Sequence, residues 1–310
     1  MIYSSLQVVL PVFILVLGGY WIVKLKILTG DDISGVLSFT QTVAIPTFLF
    51  LSIIKLDLGS IFNWHLIISY FFGAIICFFL GLIISFKYLG CSKSEATAIG
   101  FCILFSNAVL LGLPLTVLAY GEDSIGSNLA IISVNAPICY LLGIAVMEFT
   151  DRNSKNVQKT LVKIFKTIVS NNITMSLILG LIFNLIGIQI FTPVYRALDL
   201  ISVGAGSIAL FALGGVIVEY SLSKKIGKVT LIVGLSLLLH PLITFAIGNF
   251  SFKLSPDILR GAVITAAMGP GINAFLFASI YKKEMDIAAG AILVCTPLSI
   301  FATLLWIAIL

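Results

Sequence analysis

An amide, a glycine and a proline interrupt the long apolar segment 95–120 near its middle, at Asn107, Gly112 and Pro114. Proline has no backbone N–H and its ring clashes with the preceding turn, while glycine weakens a helix. Broken backbone at membrane depth is tolerated only where it is buried in protein or lines a cavity. An amide beside freed backbone N–H groups can hold a small polar ligand by hydrogen bonds. We therefore interpret this break as one half of a binding site.

A second interrupted segment corresponds to the first. Residues 99–123 and 260–284 align without a gap, and the disrupted centre of the second reads Gly269-Pro270-Gly271-Ile272-Asn273. Glycine and proline are common in membrane helices, so one interruption alone carries little weight. Two interruptions in matching positions of two halves are typical of a carrier's binding site. The residues that we predict to line it are Asn107, Gly112, Pro114, Asn135, Pro270, Gly271 and Asn273.

Both centres lack lysine and arginine, so any anion bound there would have to be held by neutral donors. Half-helices starting near Gly112–Pro114 and near Gly271–Asn273 would point their N-termini at one cavity. Each N-terminus offers unpaired N–H groups and roughly half a positive charge, and half-helices hold substrate carboxylates in this way in other carriers. Asn107 would add an amide donor; the alternative is that it only caps freed backbone groups.

The composition is that of a membrane protein. The chain has 310 residues, of which 60% are hydrophobic and 10% charged, and its mean hydropathy is +1.17. Soluble domains carry roughly 25% charged residues. The five cysteines are scattered without a C-x-x-C pair and the two histidines lie far apart, so neither a disulfide framework nor a metal site is indicated. No catalytic set or phosphate loop is visible, and we expect no enzyme activity, cofactor or nucleic-acid partner.

Apolar stretches of about 20 residues predict ten membrane spans. They lie at about 5–23, 33–54, 65–86, 95–120, 125–148, 172–189, 195–220, 229–249, 258–281 and 287–309. We predict an all-α polytopic protein with a first five-helix repeat (1–148), a cytoplasmic amphipathic linker (149–171) and a second five-helix repeat (172–310). An odd number of spans in each repeat places the two copies in opposite membrane orientations.

Charge sets the predicted orientation. With both termini outside the cell membrane, most of the 18 lysine and arginine residues fall in inner loops, including the linker 149–171. The exceptions on the outer side are Lys55, Arg196, Lys253 and Arg260. The net charge of +5 therefore reports topology.

These motifs resemble the auxin efflux carrier family. The matching pieces are Ala44–Phe50, Asn107–Gly121, His240-Pro241 and Ala266–Ala278, which together extend over most of the chain. The resemblance implies a 5+5 inverted repeat, with the first, second, sixth and seventh spans as a scaffold and the remaining six as a transport domain. It also implies that the fourth and ninth spans cross at Pro114 and Pro270, that Asn107 contacts substrate, and that the cargo is an organic anion such as auxin or a dicarboxylate.

The function that we predict is export of small organic anions by an elevator-type, alternating-access mechanism. No carboxylate lies at the predicted crossing, which favours drive by membrane potential. His240 lies deep in an apolar span and is the candidate for proton coupling, although a lone histidine there is more often structural. The alternatives are a proton- or sodium-coupled carrier and a non-transporting membrane sensor of the same fold. The partners expected are the substrate and the lipid bilayer, with a homodimer as one assembly to test.

Overall fold

The computed structural model describes residues 2–55, 63–150, 172–218 and 225–310, with side chains from Leu10 onward except at Asp123. The apolar segments in these ranges are helical. The helices are α1 (Ile2–Lys24), α2 (Gly30–Lys55), α3 (Trp64–Tyr88), α4 (Lys93–Leu104), α5 (Ala108–Tyr120), α6 (Gly126–Thr150), α7 (Asn172–Ile186), α8 (Thr192–Ile217), α9 (Ile226–Ser251), α10 (Pro256–Ala266), α11 (Ile272–Tyr281) and α12 (Met285–Ile309).

Six of the described helices are long and apolar enough to cross a membrane, namely α2, α3, α6, α8, α9 and α12. Four further apolar stretches in the same ranges are shorter: α5, α7, α11 and Leu10–Lys24 of α1. The prediction of an all-helical, multi-pass membrane protein is confirmed at this level. Most of the predicted linker 149–171 lies outside the described residues, and its first two residues belong to the end of α6.

Side-chain caps fix where several helices begin. At the start of α4, the backbone N–H of Glu95 donates to the Ser92 hydroxyl, and the backbone N–H of Ser92 donates to the Glu95 carboxylate at 2.8 Å. Thr29 and Asp32 form the same reciprocal pair before α2. This capping box satisfies two backbone donors that a helix start otherwise leaves without partners. The first broken helix therefore begins at a defined residue.

The chain divides into two compact units. The smaller unit comprises residues 12–55 and 172–218, and glycines bring its helices close together. A Cβ on Gly214 of α8 would lie 1.9 Å from the carbonyl oxygen of Val16 in α1, so α1 and α8 meet backbone against backbone. The Asn184 amide of α7 donates to two carbonyls near the end of α2, each at 2.9 Å. Small residues and an interhelical amide hold this unit together, as is usual for helices in lipid.

The larger unit comprises residues 2–11, 63–150 and 225–310 and contains both interrupted segments. Helix α3 packs against α4 and α9, and close approach again depends on glycine: a Cβ on Gly73 would lie 3.0 Å from the His240 ring. Aromatic side chains fill the centre, where Phe101 of α4 stacks face to face on Phe277 of α11. The candidate site lies within this single unit.

Candidate functional site

The two interrupted segments break and contact each other. The first break, residues 105–107, separates α4 from α5, and the second, residues 267–271, separates α10 from α11. The backbone N–H of Asn107 donates to the Gly269 carbonyl at 2.8 Å, and that of Gly271 donates to the Phe105 carbonyl at 3.4 Å. These bonds flank an antiparallel bridge between Ser106 and Pro270. The paired breaks, which we call the crossing, thus satisfy part of each other's freed backbone.

The first break does not lie where the sequence suggested. The chain becomes helical at Ala108, and regular α-helix begins at Leu113, close to the predicted start, after a π-turn. The second segment pairs with the first at Ser106, however, and not at Pro114. A π-turn at Ala108–Gly112 precedes the proline ring, and the N–H of Leu113 bonds to the Ala108 carbonyl five residues back. This wider turn accommodates Pro114 within a continuous helix. Gly112 instead packs beside the second break, since its Cβ would lie 3.2 Å from Met268.

The second break lies where it was expected. Helix α11 begins at Ile272 with Gly271 as its N-cap residue, and Pro270 lies in the bridge itself. Helix α5 likewise begins directly after Asn107. Both N-terminal ends therefore start at the crossing, where each contributes freed N–H groups and a partial positive charge. Residues 105–107 and 267–271 contain no charged side chain that would offset or supplement it.

Asn107 brings an unpaired donor to this contact. It is the N-cap residue of α5 but makes no side-chain cap bond. Its side chain is buried, and its Nδ2 has no hydrogen-bond partner within the described ranges. The close fit depends on Gly271, where a Cβ would lie 3.3 Å from Asn107 Cα, Cβ and Cγ. Buried polar groups are nearly always hydrogen-bonded, so an unpaired amide at this point needs an explanation.

The other predicted asparagines stand further from the bridge. Asn273 is half-buried in the first turn of α11, and its Oδ1 accepts a hydrogen bond from the Tyr140 hydroxyl at 3.3 Å. Asn135 is buried on α6, where its Oδ1 accepts a weak bond from Cys139 Sγ. The same sulfur lies 3.9 Å from the carbonyl of Leu104, the last residue of α4. Asn135 is therefore linked to the first break through Cys139 and not by direct contact.

A buried tyrosine connects His240 to the crossing. The hydroxyl of Tyr70, on α3, is hydrogen-bonded to the Ser106 hydroxyl in the first break. His240 Nε2 lies 3.2 Å from the Tyr70 carbonyl oxygen, and the two rings pack edge to face with centroids 4.9 Å apart. Because a carbonyl only accepts, Nε2 carries the proton and Nδ1 is the acceptor. Sequence reasoning assigned no role to Tyr70 or to Ser106. A lone phenol in an apolar span was the available signal for Tyr70.

A buried amide ties both broken segments to α6. Asn128 Nδ2 donates to the Thr116 hydroxyl of α5 at 3.0 Å and to the Thr265 hydroxyl of α10 at 2.7 Å. Ser299 of α12 accepts a hydrogen bond from the Gly269 N–H at 2.9 Å. These contacts fix the crossing against the surrounding helices. They were not predicted, because isolated Ser, Thr and Asn on apolar helices carry no pattern that shows which of them meet.

This chain belongs to the membrane transport protein family, whose sequence profile matches residues 4–307. The resemblance to auxin efflux carriers is confirmed, and the chain is a membrane transporter and not an enzyme. It is 22% identical over 292 residues to a Rhizobium meliloti protein named "Putative malonate transporter", covering 94% of this chain and 91% of that protein. It is 25% identical over 319 residues to an "Uncharacterized transporter" of Methanothermobacter thermautotrophicus, covering 99% of each.

Proposed function

We propose that this protein exports small organic anions, with mono- and dicarboxylates as the substrate class. The observation that carries the proposal is the crossing: two broken helices from different halves meet, both following half-helices start there, and a buried amide beside them lacks a partner. A carboxylate oxygen would accept from Asn107 Nδ2 and from the N–H groups that begin α5 and α11. A sensor without transport has no need for this interrupted backbone.

The neutral donor set suits a substrate that must also leave. A buried lysine or arginine would hold a carboxylate strongly, whereas amide and backbone donors supply smaller increments, about 1.5–3 kcal/mol for each bond to a charged group. The name of the Rhizobium relative makes malonate the first anion to test. Asn273 and Asn135 are proposed as outer members of the site, because Asn273 lies in the first turn after the second break and Asn135 is linked through Cys139 to the Leu104 carbonyl beside the first break.

We propose an elevator-type transport cycle. The architecture that we propose for it has ten spans in a 5+5 inverted repeat, with both termini extracytoplasmic. The larger unit holds the whole crossing, and the smaller unit is built from tightly packed helices that suit a static scaffold. Shifting the larger unit along the membrane normal would carry the crossing from one side to the other. An anion moved in this way can be driven by membrane potential alone, which supplies about 2.3 kcal/mol per charge per 100 mV and hence roughly a 50-fold gradient.

Proton coupling through His240 is the second candidate. Its Nδ1 is buried without a hydrogen-bond partner among the described residues, and Tyr70 links the same ring to Ser106 in the crossing. A proton taken up at Nδ1 would therefore place a positive charge one side chain away from the first break. This arrangement is the specific feature that favours coupling over the potential-driven cycle.

Efflux from proteoliposomes separates these candidates. Vesicles loaded with labelled malonate receive a potassium-diffusion potential, a proton gradient, or both, and efflux is followed over time. We expect efflux to follow the potential and to survive collapse of the proton gradient. Two results together would establish the coupled carrier. Wild-type efflux would stop without the proton gradient at fixed potential, and efflux by His240→Gln would not depend on the proton gradient. No movement of any carboxylate by a folded protein would favour the sensor.

A further inference from the structure

A polar surface cavity lies in the larger unit, and none of its lining residues belongs to the crossing. It is a depression of about 580 Å³, largely open to the surface, where the connection before α4, the start of α9 and the connection between α11 and α12 come together. Its lining includes Leu89, Gly90, Glu95, Lys225, Lys228 and Glu284. The predicted orientation puts these connections on the cytoplasmic side. A charged cavity on that side of an anion exporter faces the compartment from which substrate is drawn.

An internal ion pair occupies this cavity. Lys228 Nζ lies 2.6 Å from Glu284 Oε1, and the two side chains are only 11% and 4% exposed. Lys225 Nζ lies 3.7 Å from Glu284 Oε2, beyond hydrogen-bond distance, and its side chain is 54% exposed. Glu284 Oε2 is buried and accepts no hydrogen bond in the described part of the chain. Only one oxygen of this buried carboxylate is therefore fully satisfied.

The backbone holds Glu284 in place against its own preference. Lys282 and Glu284 both have positive φ, 54° and 49°, a conformation that residues other than glycine rarely adopt. Such conformations persist where the surrounding structure determines them, and they cluster at functional sites. Glu95, the other carboxylate of the lining, is engaged in the capping box of α4. Glu284 is thus the carboxylate that pairs with the two lysines, while Glu95 lies within electrostatic range of Lys228.

Without Glu284, the cavity has the features of an anion site. Two ammonium groups and the N-terminal end of α9, with its freed N–H groups and partial positive charge, converge there. The protein's own carboxylate occupies part of the field that an external anion would use. Any carboxylate that enters meets Lys225 at the exposed edge first and is opposed by Glu284 behind it.

We propose that this cavity is a loading subsite for the carboxylate of the exported anion, in which Glu284 competes with the substrate for Lys228 and Lys225. The proposal rests on the proposed function and on the predicted orientation. Competition keeps the subsite weak, so that an anion is concentrated near the cytoplasmic end of the larger unit without being trapped. It predicts opposite effects for removing the lysine and removing the glutamate.

The test measures malonate uptake into inside-out vesicles as a function of malonate concentration on the cytoplasmic face. Lys225→Gln should raise the cytoplasmic KM about tenfold with kcat unchanged, since one hydrogen bond to a charged group is lost. Glu284→Gln should lower that KM about tenfold. Lys87→Gln removes an exposed lysine from the same side, outside the cavity lining, and should leave KM unchanged. A purely structural ion pair would leave the KM of Lys225→Gln unchanged, which would overturn the proposal.

Two further arms keep the result decisive. If Glu284→Gln fails to fold because Lys228 is left buried without a partner, Lys225→Gln still tests the subsite through its more exposed side chain. Vesicles of zwitterionic lipid alone must give the same Lys225 effect; an effect that requires anionic lipid would assign the cavity to a phosphate headgroup and overturn the proposal.

A binding measurement separates this subsite from the crossing. Titration calorimetry with malonate on purified Asn107→Ala protein should retain a weak site that disappears when Lys225→Gln is added. Retention of that site in a protein that transports no malonate would refute the proposed function and leave the subsite standing. Transport of malonate with no Lys225-sensitive binding would refute the subsite and leave the proposed function standing.

Discussion

Replacing Asn107 by alanine removes an amide whose Nδ2 has no hydrogen-bond partner among the described residues. The backbone bond from its N–H to the Gly269 carbonyl, 2.8 Å, does not involve the side chain and survives the change. The folded protein therefore loses little. A bound carboxylate, by contrast, would lose a hydrogen bond to a charged group, which costs about 1.5–3 kcal/mol. At about 1.4 kcal/mol per tenfold, malonate binding should weaken roughly 10- to 150-fold.

The matched control is the same substitution at Asn184, in the smaller unit. Its amide donates to the Ile53 and Ile54 carbonyls, so alanine leaves those acceptors short of a donor. Asn184→Ala should lower the midpoint of thermal unfolding while leaving the malonate Kd near wild type. Asn107→Ala should do the reverse. Unfolding is followed by fluorescence and Kd by titration calorimetry on the same purified samples.

Two outcomes would refute this reasoning about Asn107. Wild-type affinity in a folded Asn107→Ala protein would remove the amide from the site. A loss of thermal stability as large as that of Asn184→Ala would show that Asn107 serves the backbone of the break, as a cap for freed groups.

Two further predictions concern the scaffold and the topology. Gly214→Ala would place a methyl group 1.9 Å from the Val16 carbonyl oxygen of α1, so it should destabilise the protein by about 3 kcal/mol. Gly35→Ala is the control, because the space around Gly35 is open and its thermal unfolding should hardly change. A cysteine introduced in 149–171 should react with an impermeant maleimide from the cytoplasmic face only, and labelling from outside would contradict the topology. Background labelling should be low, because the native cysteines are all buried and burial raises the pKa of the Cys91 thiol.

The pairing of the two breaks was accessible from sequence because it depends on composition and spacing. Glycine, proline and asparagine recur in register in segments too apolar to be loops, and few structural arrangements tolerate that in a membrane. Asn107, Pro270 and Gly271 do meet at the crossing. The sequence pattern locates a break in the helical backbone only to within a few residues. Tertiary contacts determine which N–H and carbonyl groups lose their partners within the helix.

Polar contacts between helices were not accessible. Tyr70 meets Ser106, and Asn128 meets Thr116 and Thr265, through the packing of helices distant in sequence. Each residue type is unremarkable in its own segment. Lys228 was interpreted only as a topology signal, yet it forms a buried pair with Glu284. Counting lysines cannot separate a lysine in such a pair from a solvated loop lysine, because the positive-inside rule treats both alike.

Proline was the least reliable of the signals. Pro46, Pro114 and Pro241 each follow a π-turn, at Thr40–Ala44, Ala108–Gly112 and Gly234–Leu239. In each case the residue before the proline donates its N–H to the carbonyl five positions back. An α-helix with a proline loses one hydrogen bond and suffers a clash with the preceding turn. A single wide turn relieves that conflict without ending the helix, so these three prolines mark π-turns and not breaks.

Pro270 differs because glycine flanks it on both sides. A Cβ on Gly269 would lie 2.2 Å from Cys295 Cβ, and one on Gly271 would lie 3.3 Å from Asn107, so close approach to α12 and to the first break requires both glycines. The backbone bonds of the bridge use the Gly269 carbonyl and the Gly271 N–H, and none uses Pro270.

The glycines, and not the proline ring, should therefore maintain the second break. We expect Pro270→Ala to keep the crossing, with near-normal malonate affinity and a loss of stability of about 0.4–1 kcal/mol from the freer unfolded chain. Gly269→Ala must move α12 or the break and should cost about 3 kcal/mol together with most of the binding. Thermal unfolding and malonate titration of the two variants decide the matter. If Pro270→Ala folds but no longer binds malonate, while Gly269→Ala folds and binds it, the proline and not the glycines maintains the break.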